Sequence, residues 1–233
     1  DVVLLNSDTE VAHNWLDRLV NAAYRADNIA TVTPFSNNAT ICSYPRFCED
    51  NRLPEGYDVA SLDSEFSAAH PGVIVDIPTG VGFCMYIRRA ALSEVGLFSV
   101  ERFGKGYGEE NDFCFRARNQ GWRNVLSADT FVYHSGGVSF ADTQNPRKAQ
   151  ALQTLRTLYP DYESVVHRHI LQDPARALRA ALQRIHSHRS VTRDAPPHLH
   201  DRRATIARCC VLSAMRRLSR GGRRPVAPSV VPR

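Results

Sequence analysis

Short apolar runs alternate with amphipathic stretches along the first 140 residues of the chain. Apolar runs that end in polar or glycine-rich stretches indicate buried strands. They occupy residues 1–5, 30–35, 73–77, 83–87 and 123–133. Apolar residues spaced three and four apart indicate helices packed on a sheet. They occupy residues 15–23, 61–70, 90–96 and 113–121, and two further helices are expected at 145–159 and 162–185. This alternation predicts an α/β fold.

A glycine-rich loop leads directly into an acidic cluster between residues 104 and 112. The cluster consists of Glu109, Glu110 and Asp112, at the predicted start of a helix. Acidic residues in a first turn are favoured by the helix dipole, so a capping cluster is one interpretation. Asp112 and Arg116 are spaced for an i,i+4 ion pair, which would leave Glu109 and Glu110 facing a cleft. A carboxylate at such a junction is well placed to act as a general base.

The segment GYGEENDFCFRARNQGW resembles the Gly-Tyr-Gly-Glu-Asp-x-Asp-x-x-x-Arg segment of family 2 inverting glycosyltransferases. The resemblance covers residues 1 to about 140. It implies the GT-A fold, a Rossmann-like domain whose mixed, mostly parallel sheet is flanked by helices. It also implies that Glu110 is the catalytic base, with Glu109 and Asp112 shaping the site. The family has Asp where this chain has Glu110, a side chain one methylene longer.

A second stretch, LLNSDT, resembles the Asp-x-Asp motif of the same family in its Asn-x-Asp form. Taken alone, an Asp at the end of a strand is more often a helix cap than a metal ligand. The resemblance implies that Asp8 ligates a Mg²⁺ or Mn²⁺ ion that bridges the donor diphosphate, with Asn6 assisting by hydrogen bonding. Hard divalent cations prefer such oxygen ligands.

His134 follows the last predicted strand, beside a glycine turn. A lone His is usually structural. The resemblance implies instead that His134 completes the metal site or contacts the diphosphate. We therefore expect Asp8, His134 and Glu110 to converge on one cleft.

Thr79, Gly80 and Gly82 lie in the turn before the strand at 83–87. Turn geometry alone would account for the glycines. The resemblance implies that the three residues line the sugar and acceptor cleft. Both interpretations stay open at the level of sequence.

Charge is distributed unevenly along the chain. Its formal net charge is +5, but residues 184–233 hold twelve Arg and two Asp (12 − 2 = +10), which leaves −5 for residues 1–183. Low hydrophobicity with high charge predicts disorder. We therefore divide the chain into a glycosyltransferase domain at 1–158, a helical extension at 159–186 and a disordered Arg-rich tail at 187–233.

Cysteine usage and hydropathy bear on the compartment. The six cysteines show no Cys-x-x-Cys pair and no His/Cys spacing suited to zinc, which indicates reduced thiols. No apolar run is long enough to cross a membrane. These features predict a cytoplasmic protein, with the basic tail contacting the anionic inner face of the plasma membrane. The sequon at Asn38 is interpreted as a chance match.

The resemblance implies a metal-dependent inverting glycosyltransferase. Its donor would be a UDP-, dTDP- or GDP-sugar, and its acceptor a hydroxyl of a polysaccharide or lipid-linked glycan. The stretches PFSNNATICSYP and IPTGVGFCMYIRR resemble, more weakly, bacterial enzymes of surface-polysaccharide or O-antigen assembly. The alternative is a non-catalytic remnant or binding module that acts through the basic tail or an exposed sheet edge. Such a tail would attract nucleic acid only without specificity.

Family members carry further strands upstream of the Asp-x-Asp strand, whereas this chain begins on it. We therefore expect a partial domain that lacks its N-terminal strands and part of the nucleotide pocket. The first strand would then lie at an unprotected edge of the sheet.

Overall fold

The computed structural model describes residues 1–104, 107–136 and 146–193, with side chains up to residue 187. The chain divides into two units, Asp1–Ile185 and His186–Arg233. The sheet and the candidate site lie in the first unit. Lys105 and Gly106 of the glycine loop fall outside the described residues, as do residues 137–145 and 194–233.

The described strands form a single sheet around its longest member. The strands are β1 (Val2–Leu5), β2 (Thr9–Val11), β3 (Ile29–Phe35), β4 (Ile74–Ile77), β5 (Cys84–Ile87) and β6 (Arg123–His134). Their order is β1-β5-β3-β6-β2, and β4 pairs with β6 as well. The first half of β6 pairs with β4 and its last residues pair with β2.

Helices connect most of these strands and follow the last one. They are α1 (Trp15–Ala23), α2 (Val59–Ala69), α3 (Arg89–Val95), α4 (Val100–Phe103), α5 (Glu109–Asn119), α6 (Pro146–Leu158), α7 (Tyr162–Gln172) and α8 (Arg176–Arg193). A single turn of 3₁₀ helix at Thr40–Cys42 interrupts the loop after β3. At the start of α2, the side chains of Asp58 and Ser61 form a capping box, which satisfies backbone N–H groups that the helix leaves free.

The α/β class and the mixed sheet are confirmed, but the expectation of a mostly parallel sheet is wrong. Among the described strand pairs only β3 and β6 run parallel. The other pairings, β1–β5, β3–β5, β4–β6 and β2–β6, are antiparallel. β1 and β3 run in the same direction and are joined through α1, as in a parallel crossover unit, but β5 lies between them. This insertion depends on long-range pairing, so hydrophobic periodicity does not reveal it.

Both faces of the sheet are buried, because alternate residues of a strand point to opposite sides. In β5, Cys84 and Tyr86 join a large core with Phe35, Phe66 and Phe131. The rings of Phe35 and Phe131 each lie 5.3 Å from that of Phe66 on α2. On the other face, Met85 and Ile87 of β5 pack with Phe113 of α5 and Leu92 of α3. The second face thereby holds α5, the helix that carries the acidic cluster.

The C-terminal helices differ from the expectation. The helix predicted at 162–185 is two helices, because Asp173 adopts a left-handed conformation (φ 42°) and is followed by Pro174. Proline has no N–H to donate and clashes with the preceding turn. α8 continues to Arg193, beyond the predicted start of a disordered tail at residue 187. The rest of that tail lies outside the described residues.

Two short elements were not expected, the strand β2 and the helix α4. β1 has β5 as its only neighbour among the described strands, so it lies at an edge of the sheet. Leu5, at the end of β1, is 45% exposed. None of the helices in the described ranges is both long and apolar enough to cross a membrane.

Candidate functional site

Asp8 and His134 are brought together by the pairing of β2 with β6. Thr9 lies opposite His134 in this antiparallel ladder, and the N–H of Ser135 donates to the carbonyl oxygen of Asp8 at 3.0 Å. The carboxylate Oδ2 of Asp8 consequently lies 3.4 Å from Nε2 of His134. Both side chains are largely buried, at 18% and 15% exposure. Two residues from opposite ends of the domain thus form one polar pair.

The imidazole of His134 is held in a defined tautomer. Its Nδ1 lies 2.8 Å from the carbonyl oxygen of Asn38. A carbonyl oxygen can only accept, so Nδ1 carries the proton and donates it. In the neutral ring, Nε2 then presents its lone pair towards Asp8. The ring of Phe83 stacks on the imidazole of His134, with the two centroids 5.2 Å apart and the two planes inclined by 23°.

Asn37 fixes the backbone of His134. Its side-chain oxygen accepts from the N–H of His134 at 2.8 Å, and its side-chain nitrogen donates to the carbonyl oxygen of His134 at 2.9 Å. Asn37 is 3% exposed. Because its amide plane is bonded on both sides, the last residue of β6 has little freedom to move.

The Asp8–His134 pair has the chemistry of a partial divalent-metal site. A carboxylate oxygen and an imidazole lone pair face each other, and a cation between or beside them would satisfy both. Metal-binding histidines usually donate their other ring N–H to a carbonyl or carboxylate, as Nδ1 does here. The described residues contain no group of three or more His, Cys, Asp or Glu side chains arranged around one metal position. Water and phosphate oxygens would have to supply the remaining ligands, as they commonly do for Mg²⁺.

Glu110 lies in the first turn of α5, next to the turn before β5. The preceding Gly108 has φ 86°, a left-handed conformation that favours glycine. A Cβ placed on Gly82 would lie 4.0 Å from Cγ of Glu110. The pKa of Glu110 is raised to about 7, chiefly by burial; the neighbouring Glu109 carboxylate also raises it, and backbone hydrogen bonds partly oppose the shift. A carboxyl group with this pKa exchanges protons near neutral pH.

Asp112 is occupied by structural contacts, and the predicted ion pair with Arg116 is present. Its Oδ2 lies 2.8 Å from Nε of Arg116, and its Oδ1 accepts from the Tyr159 hydroxyl at 2.7 Å. Arg116 also donates to the carbonyl oxygens of Val95 and Leu97. The Asp112 carboxylate is completely buried. It therefore anchors α5, whereas Glu110 points towards the turn at Gly82.

Glu109 remains partly buried beside Glu110. Its Oε2 is buried and has no hydrogen-bond partner in the part of the chain that the structure describes. A buried oxygen in this state costs free energy unless a ligand or solvent satisfies it. The Glu109 carboxylate also acts electrostatically, because its charge raises the pKa of Glu110.

The three turn residues lie in different environments. Gly80 is packed tightly: a Cβ there would lie 3.0 Å from Sδ of Met85 and 3.1 Å from Oγ1 of Thr33. Its N–H donates to Sγ of Cys114 at 3.1 Å, and Thr79 is 7% exposed. Among the described residues, Glu110 alone has an atom within 4 Å of a Cβ placed on Gly82. Of the three, Gly82 is the residue adjacent to a candidate catalytic group.

Asn6 contributes through its backbone. Its N–H donates to the carbonyl oxygen of Phe83 at 2.8 Å, and its carbonyl oxygen accepts from the Thr9 hydroxyl at 2.7 Å. The first bond connects the end of β1 to the segment Gly82–Phe83, and the second lies within the turn between β1 and β2. That segment has Glu110 beside its first residue and the His134 ring against its second.

Sequence reasoning did not identify Asn37, Asn38 or Phe83 as site residues. Asn37 and Asn38 lie one residue beyond the predicted strand at 30–35, where polar side chains often mark a site, and that signal was available. Asn38 was considered only as part of a sequon. Phe83 shows no local signal, because its role depends on stacking with a residue from β6.

No model of a known protein family matches this chain, and no curated protein matches it significantly.

Proposed function

We propose that this chain is the catalytic part of a metal-dependent inverting glycosyltransferase with a GT-A-type fold. It transfers a sugar from a UDP-, dTDP- or GDP-sugar to a hydroxyl of a polysaccharide or lipid-linked glycan. One observation carries the proposal: the Asp8–His134 pair and Glu110 both adjoin the segment Gly82–Phe83. The motifs GYGEEND and LLNSDT, which resemble those of the family, supply the carboxylates of this arrangement.

Glu110 acts as the general base in this proposal. With a pKa of about 7, a substantial fraction of the group is deprotonated at neutral pH, yet it remains basic enough to accept a proton. It takes the proton from the acceptor hydroxyl as that oxygen attacks the anomeric carbon. Glu109 tunes the pKa of Glu110, and Asp112 holds α5 in position through Arg116 and Tyr159.

Asp8 and His134 hold the divalent ion in this proposal, Mg²⁺ or Mn²⁺. The ion would neutralise the charge of the departing nucleoside diphosphate. The carbonyl oxygen of Asn38 keeps Nε2 of His134 available by accepting a hydrogen bond from Nδ1–H, and Asn37 fixes the His134 backbone. Asn6 ties the metal-binding end of β1 to Phe83. Thr79 and Gly80 support the turn from within the core.

The proposed location is the cytoplasm, with peripheral contact at the inner face of the plasma membrane. The support is the charge of the chain from Arg184 onward, where arginines far outnumber acidic residues. Such a segment attracts anionic lipid headgroups.

Release of nucleoside diphosphate from a panel of UDP-, dTDP- and GDP-sugars, with Mn²⁺ and with EDTA, tests this function. We expect release that requires the metal and falls by roughly 10²–10⁴-fold in Glu110→Gln. Glu101→Gln is the matched control, because Glu101 is an exposed carboxylate outside the site. A Glu110→Gln variant that keeps more than about a tenth of the wild-type rate would remove Glu110 as the base.

A non-catalytic binding module is the second candidate, and the exposed edge at β1 supports it. β1 leaves one side of its backbone unpaired within the described sheet, and Leu5 is exposed beside it. An open edge can pair with a strand of another chain. Metal-dependent release in the assay above would exclude this alternative as the principal function.

A further inference from the structure

A cleft of about 530 Å³ lies at the C-terminal end of β6, next to the Asp8–His134 pair. This volume falls within the roughly 300–1,000 Å³ range of small-molecule sites. The residues that line it are mainly amides and charged groups: Asn37, Asn38, Asp50, Asn51, Arg52, Leu53, Tyr133, Ser135 and Gly136. Neither the proposed base nor the proposed metal ligands are among them.

The floor of the cleft is built by two asparagines that bind each other's backbone. The side-chain nitrogen of Asn37 donates to the carbonyl oxygen of Asn51, and that of Asn51 donates to the carbonyl oxygen of Asn37, both at 3.2 Å. Asn51 also donates to the carbonyl oxygens of Arg46 and Glu49. The loop over residues 46–51 is thereby fixed to the end of β3, so the cleft has a preformed shape.

The rim carries one negative and one positive side chain. Asp50 and Arg52 are both exposed, and neither forms a hydrogen bond or ion pair with another residue in the described ranges. A carboxylate accepts hydrogen bonds, whereas a guanidinium only donates them. Tyr133 and Leu53 add apolar surface beside these groups. The combination suits a neutral ligand with many hydroxyl groups, since each hydroxyl both donates and accepts.

The carboxylate of Asp50 disfavours a free phosphate or other anion in the same space, because it would repel the anion as Arg52 attracts it. The cleft also connects to the candidate metal site through the backbone. Asn38 lines the cleft while its carbonyl oxygen binds Nδ1 of His134, and Ser135 lines it while its N–H binds the carbonyl oxygen of Asp8. A ligand seated here would therefore lie beside the proposed site of transfer.

We propose that this cleft binds a neutral saccharide unit of the acceptor glycan. Its assignment to the acceptor rests on the proposed function, whereas saccharide binding by the cleft does not. Asp50 accepts from sugar hydroxyls, Arg52 donates to them, and Tyr133 and Leu53 contact the apolar face of the ring.

Saturation-transfer NMR on the whole chain, with the methyl glycosides of glucose, galactose, mannose, rhamnose and N-acetylglucosamine, tests the proposal. We expect at least one glycoside to bind, and to bind roughly tenfold more weakly to the double variant Asp50→Ala/Arg52→Ala, because two hydrogen-bonding groups are lost. The matched control is Glu55→Ala/Arg168→Ala, which removes the same charges from exposed positions outside the cleft. It is expected to bind as the wild type does.

Three results would overturn the proposal: no glycoside binds, the double variant binds as well as the wild type, or inorganic phosphate displaces the glycoside. The same measurement with EDTA and with Glu110→Gln separates this proposal from the proposed function. Glycoside binding that persists in both, without any transfer activity of the wild type, would leave the saccharide cleft standing and reject the transferase.

Discussion

Nε2 of His134 lies 3.4 Å from Oδ2 of Asp8, and the register of one short ladder produces this approach. Thr9 pairs with His134, so the residue before β2 and the last residue of β6 meet at the same edge of the sheet. The carbonyl oxygen of Asn38 holds the opposite side of the imidazole. The site therefore depends on three separate segments of the chain keeping their positions.

Mn²⁺ is expected to raise the melting temperature of the wild-type chain, because a ligand that binds only the folded state stabilises it. Asp8→Ala and His134→Ala should each abolish most of this shift. The paired control is Asp17→Ala and His13→Ala, which remove the same residue types from exposed positions. Differential scanning fluorimetry with and without Mn²⁺ measures the effect. Equal shifts in all four variants would place the ion elsewhere.

Gly136→Ala should weaken Mn²⁺ binding through Asn38. A Cβ on Gly136 would lie 1.8 Å from Nδ2 of Asn38, and the backbone has φ 61°. The side chain of Asn38 would have to move, and we expect this movement to disturb the backbone carbonyl oxygen that accepts from His134. Gly121→Ala is the matched control, because its φ is 86° but no atom in the described part of the chain lies within 4 Å of the added Cβ.

Both glycine variants are expected to lose roughly 1–2 kcal/mol of stability from the left-handed backbone alone. Only Gly136→Ala should also lose Mn²⁺ affinity, measured by titration calorimetry. Unchanged affinity in Gly136→Ala would show that the added Cβ does not disturb the contact of Asn38 with the imidazole.

The raised pKa of Glu110 makes stability depend on pH in a defined direction. Burial shifts this pKa from 4.5 to about 7, so between these values the folded state binds more protons than the unfolded state. The contribution of Glu110 to the free energy of unfolding must therefore fall as the pH rises from about 4.5 to about 7. Above about pH 7 this contribution is constant. Glu110→Gln lacks this ionisable group, so its free energy of unfolding should fall less between pH 4 and pH 8 than that of the wild type. The difference should be about 1–3 kcal/mol.

Urea unfolding at both pH values checks this, with Glu101→Gln as the exposed control. An identical pH dependence in Glu110→Gln and wild type would mean that Glu110 is solvated normally.

Asp112→Ala should destabilise the fold severely, because it leaves the Arg116 guanidinium without its buried partner and removes the acceptor of the Tyr159 hydroxyl. A loss of about 3–5 kcal/mol is expected for breaking a buried pair. Asp76→Ala breaks the ion pair with Arg123, whose side chains are 66% and 35% exposed, and should cost less than about 1 kcal/mol. Urea denaturation of the two variants compares them directly, and similar losses would contradict the anchoring role.

Local patterns predicted much of this molecule. The apolar runs that became β1, β3, β4, β5 and β6 need only short stretches of sequence to be recognised. The pairing of Asp112 with Arg116 follows from their spacing on one helix, and the acidic cluster beside the glycines marked Glu109 and Glu110 as candidates, between which the family resemblance favoured Glu110. The end of α7 before Pro174 also has a local sequence signal, the proline itself. The prediction missed it because apolar periodicity continues across this position.

The partners of each strand were decided only by the tertiary structure. Nothing in the sequence of β5 specifies that it runs antiparallel between β1 and β3, and β2 is too short to show a period. The contacts of Asp8 with His134, of Asn38 with His134, and of Gly82 with Glu110 join residues that are distant in the chain. Side-chain chemistry and helix spacing act over a few residues and can be read locally. The distances that make a site depend on how the sheet pairs and packs, and the whole core determines that pairing.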